Sequence, residues 1–273
     1  MSLSVTIAAR NEEANIARCL DAVKWADEIV VVDDMSTDRT AEICRQHGVM
    51  LLQNDSRGGF HANKNLAIER ASGDWILTLD ADEVVSPELA DEIRRAVQSG
   101  GFPAYCVNRM NFFLGRWIRG CGWYPDRIIR LFRKGATRWP LQIIADDTPR
   151  PPAQGGVGFL EQPLLHYSYV SFDQYLEKFG RYTTLLCRQY ESKGRRLRPR
   201  AFPYYFVIRP ALIFMRKYFW LMGFRDGFRG LFISLSAASA EFVAYAKLWE
   251  LQYGAAGNPD EACGRTSAGK DAR

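Results

Sequence analysis

The sequence predicts an α/β protein: a Rossmann-like, mainly parallel sheet with helices on both faces, followed by a helical, amphipathic C-terminal region. Three observations carry this. Short apolar runs alternate with amphipathic runs through the first part of the chain. Carboxylate pairs stand at the ends of two of those apolar runs. Beyond residue 171 the pattern becomes helical, with arginines among aromatic and aliphatic residues. A length of 273 residues, 47% hydrophobic and 25% charged, suits a globular chain of one large domain with an appendage. The expected divisions are 1–170, 171–253 and a disordered tail over 254–273.

Taken in order, "LSVTIAA" reads as a strand and "EEANIARCLDAV" as a helix. "EIVVVDD" is a strand, and "STDRTAEICRQH" a helix for which Ser36 or Thr37 can serve as N-cap. "VMLLQ", "HANKNLAIERA" and "DWILTLD" continue as strand, helix and strand. "SPELADEIRRAVQ" is a helix capped by Ser86, with Pro87 in its first turn. Such apolar strands suit a parallel sheet covered on both faces. From Ala104 to Tyr169 the strands "AYCVNRM", "RIIRLFR" and "PLLHYSY" alternate with aromatic, Gly-rich links, a mixed sheet and loops expected to lie over the carboxylate edge. Three helical stretches follow: "FDQYLEKFGRYTTLLCRQYESKG", "PALIFMRKYFWLM" and "LFISLSAASAEFVAYAKLWELQ".

In parallel sheets ligands bind at the carboxyl ends of the strands. Asp33 and Asp34 end one strand; Asp80 and Asp82 end another. These acids could simply cap the following helices, but Asp80 and Asp82 stand well before Pro87. An Asp-x-Asp at a strand end suits Mg2+ or Mn2+ together with a nucleoside diphosphate, because these hard cations keep positions open for phosphate oxygens. Glu83 reads equally as a support for such a site or as a solvated acid, and Asp74 as a turn residue. His47 is expected to cap its helix or meet its dipole, His61 to lie at the surface rather than meet a phosphate, and His166 to be a satisfied core histidine. Trp117, Trp123 and Tyr124 could stack on a sugar ring or pack as a lid. Arg127 and Arg130 could meet a diphosphate or an acidic acceptor, or form a solvated face.

The pieces "VTIAARNEE", "VVVDDMSTDRT", "ANKNLAI" and "ILTLDADE" together resemble the inverting family 2 glycosyltransferases of the GT-A fold. "FFLGRWIRGCGWYPDRIIRLFRKG", "PLLHYSY", "YTTLLCRQY" and "GFRDGFRGLFISLSAASAEFVAYAKLWE" are similar to a bacterial subgroup, the lipopolysaccharide core glucosyltransferases acting on inner-core heptose. The resemblance implies that residues 1–170 bind a nucleotide sugar and catalyse its transfer. Ala9, Arg10 and Glu12 would line the base and ribose, and Asp33 or Asp34 would accept from the uracil imide. Lys64 would approach the sugar or phosphates, Asp80 the ribose, and Asp82 the metal. An inverting reaction needs a base for the acceptor hydroxyl. Where the subgroup reads Val-His-Glu after an Arg-Trp pair, this chain has Arg138–Trp139 and then Ile144, Ala145 and Asp146. Asp146, or its neighbour Asp147, is the candidate base. Trp123, Tyr124, Arg127 and Arg130 are candidate acceptor contacts. The implied partners are a UDP-hexose and a lipid-linked glycan. Rival readings are a same-fold transferase with another nucleotide sugar or a polyprenyl-phosphate acceptor, a non-catalytic membrane-associated nucleotide-sugar-binding protein, and a nucleotidyltransferase.

The net charge of +5 is modest, but its distribution is not even. Between Gly194 and Gly230 the arginines at 195, 196, 198, 200, 209, 216, 225 and 229, with Lys217, face a single acid, Asp226. Interspersed with long apolar runs, they suit a membrane interface, with Arg209 and Arg216 on one helix face, and they argue against a nucleic-acid partner. Six cysteines without CxxC spacing read as free thiols, and three histidines make a His/Cys zinc site an unfavoured reading. No signal peptide and no uncharged run long enough to span a bilayer are apparent. The expected location is cytoplasmic, peripheral on the inner face of the bacterial inner membrane.

Overall fold

Strand β1 (Leu3–Ala9) is buried along its whole length, polar Ser4 and Thr6 included, as a central parallel strand should be. The structure is a computed structural model describing residues 1–56, 59–140 and 148–254. The chain divides into two units, Met1–Val170 and Ser171–Arg273.

In the first unit β1 is followed by α1 (Ile16–Asp21), β2 (Glu28–Asp33), α2 (Thr40–Gln46), β3 (Met50–Gln53), α3 (Phe60–Arg70) and β4 (Trp75–Asp80). Next come the short β5 (Glu83–Val84), α4 (Pro87–Ser99), β6 (Ala104–Phe113), β7 (Arg116–Trp117), β8 (Arg127–Arg133) and β9 (Gly158–Tyr169). Among the described residues they form one nine-stranded sheet of order β3-β2-β1-β4-β8-β6-β9-β5, with β7 paired to β6. The first four strands are mutually parallel. The chain winds from β1 outward to β2 and β3, then crosses to β4 on the other side of β1. That reversal opens the crevice in which such sheets bind ligands.

The later strands do not lie over the carboxylate edge as expected. β8 pairs antiparallel with β4, and β6 and β9 extend the sheet sideways. The reason is that β4 would otherwise be an unpaired edge, and hydrogen bonding to β8 satisfies it. This register has a direct consequence: Glu83 of β5 is paired with His166 of β9.

Of two helix starts read from the sequence, one holds and one differs. Ser86 does cap α4, its hydroxyl accepting from the Leu89 N–H at 3.2 Å. Gly100 ends that helix in the left-handed conformation (φ 60°) that only glycine adopts without strain. Neither Ser36 nor Thr37 caps α2, which begins at Thr40. Instead Asp38 accepts from the Thr40 N–H at 2.9 Å and its hydroxyl at 2.6 Å. Ser36 and Thr37 are engaged elsewhere, as described below.

The second unit contains α5 (Phe172–Ser192), a helical segment from Pro199 to Trp220 whose centre is α6 (Arg209–Met215), and α7 (Gly227–Tyr253). α6 is flanked by a π-turn on each side, Tyr204–Ile208 and Arg216–Trp220. Cys187, Tyr190, Leu197, Ala244, Tyr245 and Leu248 form its core. Within it Glu241 is buried, accepting from the Tyr190 hydroxyl at 2.7 Å and from Arg209 Nε. The sequence reading finds no spanning segment, yet the 31-residue stretch Gly223–Tyr253 is long and apolar enough to cross a membrane, by length and composition. Between Arg229 and Lys247 its only Asp, Glu, Lys or Arg is Glu241, and that carboxylate is turned inward. Of its most apolar window, 39% is buried inside the protein.

Removing the Glu241 carboxylate leaves Arg209 and the Tyr190 hydroxyl without their shared acceptor. Glu241→Ala is expected to destabilise this unit by roughly 3 kcal/mol, the low end for a buried pair because Arg209 is partly exposed. Urea unfolding checks this; an unchanged midpoint would show that the network is not structural.

Candidate active site at the carboxyl edge of the sheet

The strand register aligns three of the predicted positions. Ala9 lies opposite Asp33, and Ala8 opposite Asp80, so the ends of β1, β2 and β4 form one continuous edge. The loops leaving β1 and β2 are laced together. The Asn11 N–H donates to Ser36 Oγ at 2.9 Å, and Asn11 Oδ1 accepts from the Thr37 N–H at 2.8 Å. The Glu12 N–H donates to Thr40 Oγ1, and that of Glu13 to Asp38. Asn11 and Met35 hold positive φ angles of 53° and 51° at these two bends. This lacing is why Ser36 and Thr37 are unavailable as caps. It also fixes the stretch carrying Arg10 and Glu12.

Both aspartates of the first pair are buried and hydrogen-bonded. Asp33 accepts from the Ser36 N–H and hydroxyl and from Gln53. Asp34 accepts from the Ser56 N–H at 2.8 Å and Ser56 Oγ at 2.9 Å, and its Oδ2 lies 3.4 Å from Arg10. Burial works against the Asp34 anion, but the Ser56 bonds and Arg10 outweigh it and lower its pKa, keeping it a carboxylate and therefore an acceptor. A nucleobase N–H reaching either acid would have to share or replace one of these bonds. Arg10 is the exposed member of the group.

The second cluster surrounds the end of β4. Arg130, almost wholly buried, reaches Glu83 through Nε (3.0 Å) and Nη2 (2.7 Å), and the same Nη2 lies 2.7 Å from Asp80. The Asp80 N–H donates back to Glu83 at 3.0 Å, closing the turn. Lys64 Nζ sits 2.5 Å from the other Asp80 oxygen and 4.1 Å above the Trp139 ring. Burial alone would raise the Asp80 carboxyl; Lys64 and then Arg130 outweigh it and hold it far below the ordinary carboxylate range. Asp82, in the same turn, faces His166, whose Nε2 is 3.4 Å away. His166 Nδ1 contacts Asn111 Oδ1 at 2.6 Å. The Asn111 amide donates to the Trp123 carbonyl and Asp126, and Asp126 also accepts from Arg109 Nε at 2.8 Å. Since Asn111 Oδ1 accepts, His166 carries its proton on Nδ1 when neutral. Burial disfavours its charged form, but the Asp82 carboxylate prevails and raises its pKa.

Glu83 is thus neither solvated nor peripheral: it is wholly buried as the partner of Arg130. Arg130 is likewise not an acceptor-facing or solvated residue, because its guanidinium is committed to two carboxylates. Arg127, three residues earlier in the same strand, is exposed, with its guanidinium 5.1 Å from the Phe159 ring. Trp123 and Tyr124 pack in an aromatic group, Trp123 against Phe113 (6.1 Å) and Tyr124 edge-on to Trp117 (5.2 Å). His61 meets the Pro140 carbonyl at 2.8 Å rather than lying loose at the surface, and His47 contacts its helix's Ile43 carbonyl as expected. Asp146 and Asp147 lie outside the described residues. The chain on both sides of them is anchored at this site. Asn65, next to Lys64, exchanges two hydrogen bonds with the Trp139 backbone, and Thr148 Oγ1 accepts from the Ile129 N–H, next to Arg130. Sequence reasoning missed Asn65, Arg109, Asn111 and Asp126. Arg109 and Asn111 were detectable, as polar residues on the buried face of β6 shared with Val107 and Phe113.

Among the described residues no group of three or more His, Cys, Asp or Glu side chains could by itself hold a metal. The donors at Asp82 are its own carboxylate oxygens and, 3.4 Å away, His166 Nε2; the Cys19 thiol contacts the Asp80 carbonyl at 3.7 Å and is kept protonated, first by burial and then by Glu83. A carboxylate with a neighbouring imidazole fits Mn2+, and the carboxylate alone Mg2+, completed by substrate oxygens. One consequence concerns stability. The folded Asp80 carboxyl lies below its unfolded value of about 3.9, so its stabilisation is complete above that pH and declines as pH falls further. In urea unfolding, the advantage of the wild type over Asp80→Asn should therefore be constant near neutrality and shrink below about pH 4. An advantage that grows on acidification would contradict the pairing.

Comparison with known proteins fits this edge. Residues 4–150 match the family described as Glycosyl transferase family 2. The chain is 28% identical over 264 residues to the lipopolysaccharide core biosynthesis glycosyltransferase LpsC of Rhizobium meliloti, covering 92% of this chain and 93% of the relative. It is 29% identical over 261 residues to an uncharacterized glycosyltransferase of Rickettsia typhi, covering 91% and 87%. Among solved structures, the mannosyltransferase PcManGT from Pyrobaculum calidifontis, in complex with GDP-Man and Mn2+, superposes with a TM-score of 0.53 at 17% identity, over 90% of this chain and 86% of that one. The family match takes in both carboxylate pairs, Lys64 and Arg130, more than half of the sequence; the chain belongs to glycosyl transferase family 2 and is a glycosyltransferase of the GT-A type.

Proposed function

We propose that this glycosyltransferase moves a hexose, glucose from UDP-glucose, onto an inner-core sugar of lipopolysaccharide with inversion, at the cytoplasmic face of the bacterial inner membrane. The observation that carries it is the turn at the end of β4. Two of its three carboxylates are spent on Lys64 and Arg130, while Asp82 points to a different neighbour, His166. The name of the Rhizobium meliloti relative supports the acceptor class. The Mn2+ in the Pyrobaculum mannosyltransferase complex supports the cation.

In this reading Asp82 would hold Mg2+ or Mn2+, which would supply positive charge for the leaving nucleoside diphosphate. Ala9 leaves space at the edge for the nucleoside, while Arg10 and Glu12 flank it and Asp33 or Asp34 accepts from the base. Lys64 and Asp80, already paired, orient the ribose and phosphate side. Asp146 or Asp147 takes the proton from the acceptor hydroxyl as its oxygen attacks the anomeric carbon, opposite the departing UDP. Trp123, Tyr124 and Arg127 border the acceptor. The relatives do not fix the sugar, so the donor is the first thing to test.

Thermal unfolding across UDP-glucose, UDP-N-acetylglucosamine and GDP-mannose, with and without Mn2+, should show the largest shift for UDP-glucose with metal. Asp82→Asn should lower sugar transfer by roughly a hundredfold or more and abolish the metal dependence of UDP binding. If UDP binds equally well after EDTA treatment and after Asp82→Ala, the cation has no part in the site. Asp146→Asn and Asp147→Asn separate the two candidate bases: the true one should lose roughly a hundredfold or more in kcat with UDP affinity intact. Should both variants turn over normally, the base lies elsewhere.

A further inference from the structure

The second unit exposes apolar side chains in an ordered array. Along Tyr204–Trp220 the exposed positions recur every four residues: Tyr204, then Val207 with Ile208, Ala211 with Leu212, Met215 with Arg216, and Phe219 with Trp220. In a regular α-helix a repeat of four drifts by about 40° per turn, so such a row would wind around the helix. Here the wider π-turns at Tyr204–Ile208 and Arg216–Trp220 take up that drift and keep the row on one side. Val207 is 64% exposed, Leu212 58% and Trp220 82%. A second row, Phe228, Leu231, Leu235 and Phe242, lies along one side of α7. An apolar groove lined by Pro210, Ala211, Phe214, Leu235, Ala238 and Phe242 joins the two rows.

The charges around this surface have one sign. Arg216 and Arg225 are exposed near Trp220, Arg229 is half-buried, and Arg196, Arg198 and Arg200 are exposed before the first row begins. A broad apolar face bordered by arginines and ending in an exposed tryptophan complements an anionic lipid surface, where the indole sits at headgroup level. We propose that these two rows are a membrane-docking face that lies in the plane of an anionic phospholipid leaflet. The proposal gives residues to the membrane location in the proposed function, but it depends on neither the donor nor the acceptor.

The alternative use of α7, as a span, conflicts with its neighbour. α5 runs beside it: Tyr175 packs on Phe232 at 5.2 Å near one end, and Tyr190 stacks on Tyr245 at 4.9 Å near the other. The outer side of α5 exposes Asp173, Glu177, Arg181, Arg188 and Glu191. A spanning α7 would carry those charges into hydrocarbon, and each is costly there. Lying flat, the unit immerses only the two apolar rows.

The test is co-flotation of the full chain with vesicles of phosphatidylcholine alone or mixed with phosphatidylglycerol. The wild type should float with the mixed vesicles, less with the neutral ones, and less again as salt rises. Leu212→Glu combined with Trp220→Glu should reduce partitioning by roughly tenfold or more. Arg216→Glu with Arg225→Glu should remove the preference for phosphatidylglycerol; this variant alters only exposed arginines and keeps the test open if the first misfolds. The idea is overturned if the wild type stays with the unbound fraction, or if folded variants float as it does. It is also overturned if light scattering shows a dimer that the Leu212→Glu/Trp220→Glu variant dissociates, since a second copy would then cover the face. Resistance of membrane-bound chain to alkaline carbonate would overturn the in-plane arrangement in favour of a span. Because vesicle binding needs no sugar donor, a lack of glucose transfer leaves these outcomes unaffected.

Discussion

The buried guanidinium of Arg130, shared between Asp80 and Glu83, is the constraint on which the site depends. Two carboxylates so close together repel, and burying them without a cation would be prohibitive. Arg130 can reach both only because β8 runs antiparallel beside β4, next to the turn they occupy. Its fork meets both oxygens of Glu83, which in turn accepts from the Asp80 N–H, so one cation fixes the backbone as well as the charges. With the turn locked this way, Asp82 is directed to the side where β9 supplies His166. The late strands of the sheet therefore have a second purpose beyond covering an edge: they bring the counter-charges to a motif encoded fifty residues earlier.

How much of this was legible in the sequence varies by interaction range. The alternation of strands and helices through α4 was readable, because each element carries its own apolar period and Ser86 and Pro87 mark a helix start locally. The edge location of Asp33, Asp34, Asp80 and Asp82 followed from that alternation. The partners of these acids did not follow. Nothing in "RIIRLFR" says that Arg130 rather than Arg127 turns inward, since that depends on the phase of β8 against β4. The misassigned N-caps at Ser36 and Thr37 have the same origin. Ser36 Oγ bonds Asp33 locally, and Asn11 takes up that hydroxyl and the Thr37 amide, contacts that exist only once β1 and β2 are aligned.

The second unit shows the same limit in another form. Counting charges along the sequence rejected a membrane-length helix, whereas Glu241 turns inward to Arg209 and Tyr190 and leaves the helix surface apolar. Composition was read correctly; the direction of one side chain was not. The four-residue exposed row was also beyond periodicity analysis at 3.6 residues per turn, because the π-turns that straighten it are a property of the folded backbone.

The electrostatics of the first unit explain why the proposed chemistry calls for a divalent cation. Among the described residues, Asp80, Asp82, Glu83 and Asp126 face Lys64, Arg109 and Arg130, with His166 as the only adjustable charge. Four negative against three positive groups leave the cluster at about −1 when His166 is neutral and near zero when it is protonated. Neither state draws in a diphosphate, whose own charge is negative. Arg109 and Arg130 cannot be diverted to it without stripping Asp80 and Glu83 of partners that make their burial tolerable. A doubly charged ion at Asp82 would change the sign of the local field while leaving the pairs of Asp80 and Glu83 with Lys64 and Arg130 intact. With Arg109 and Arg130 committed to structure, the proposed reaction calls for imported positive charge, and Asp82 is the side chain proposed to hold it.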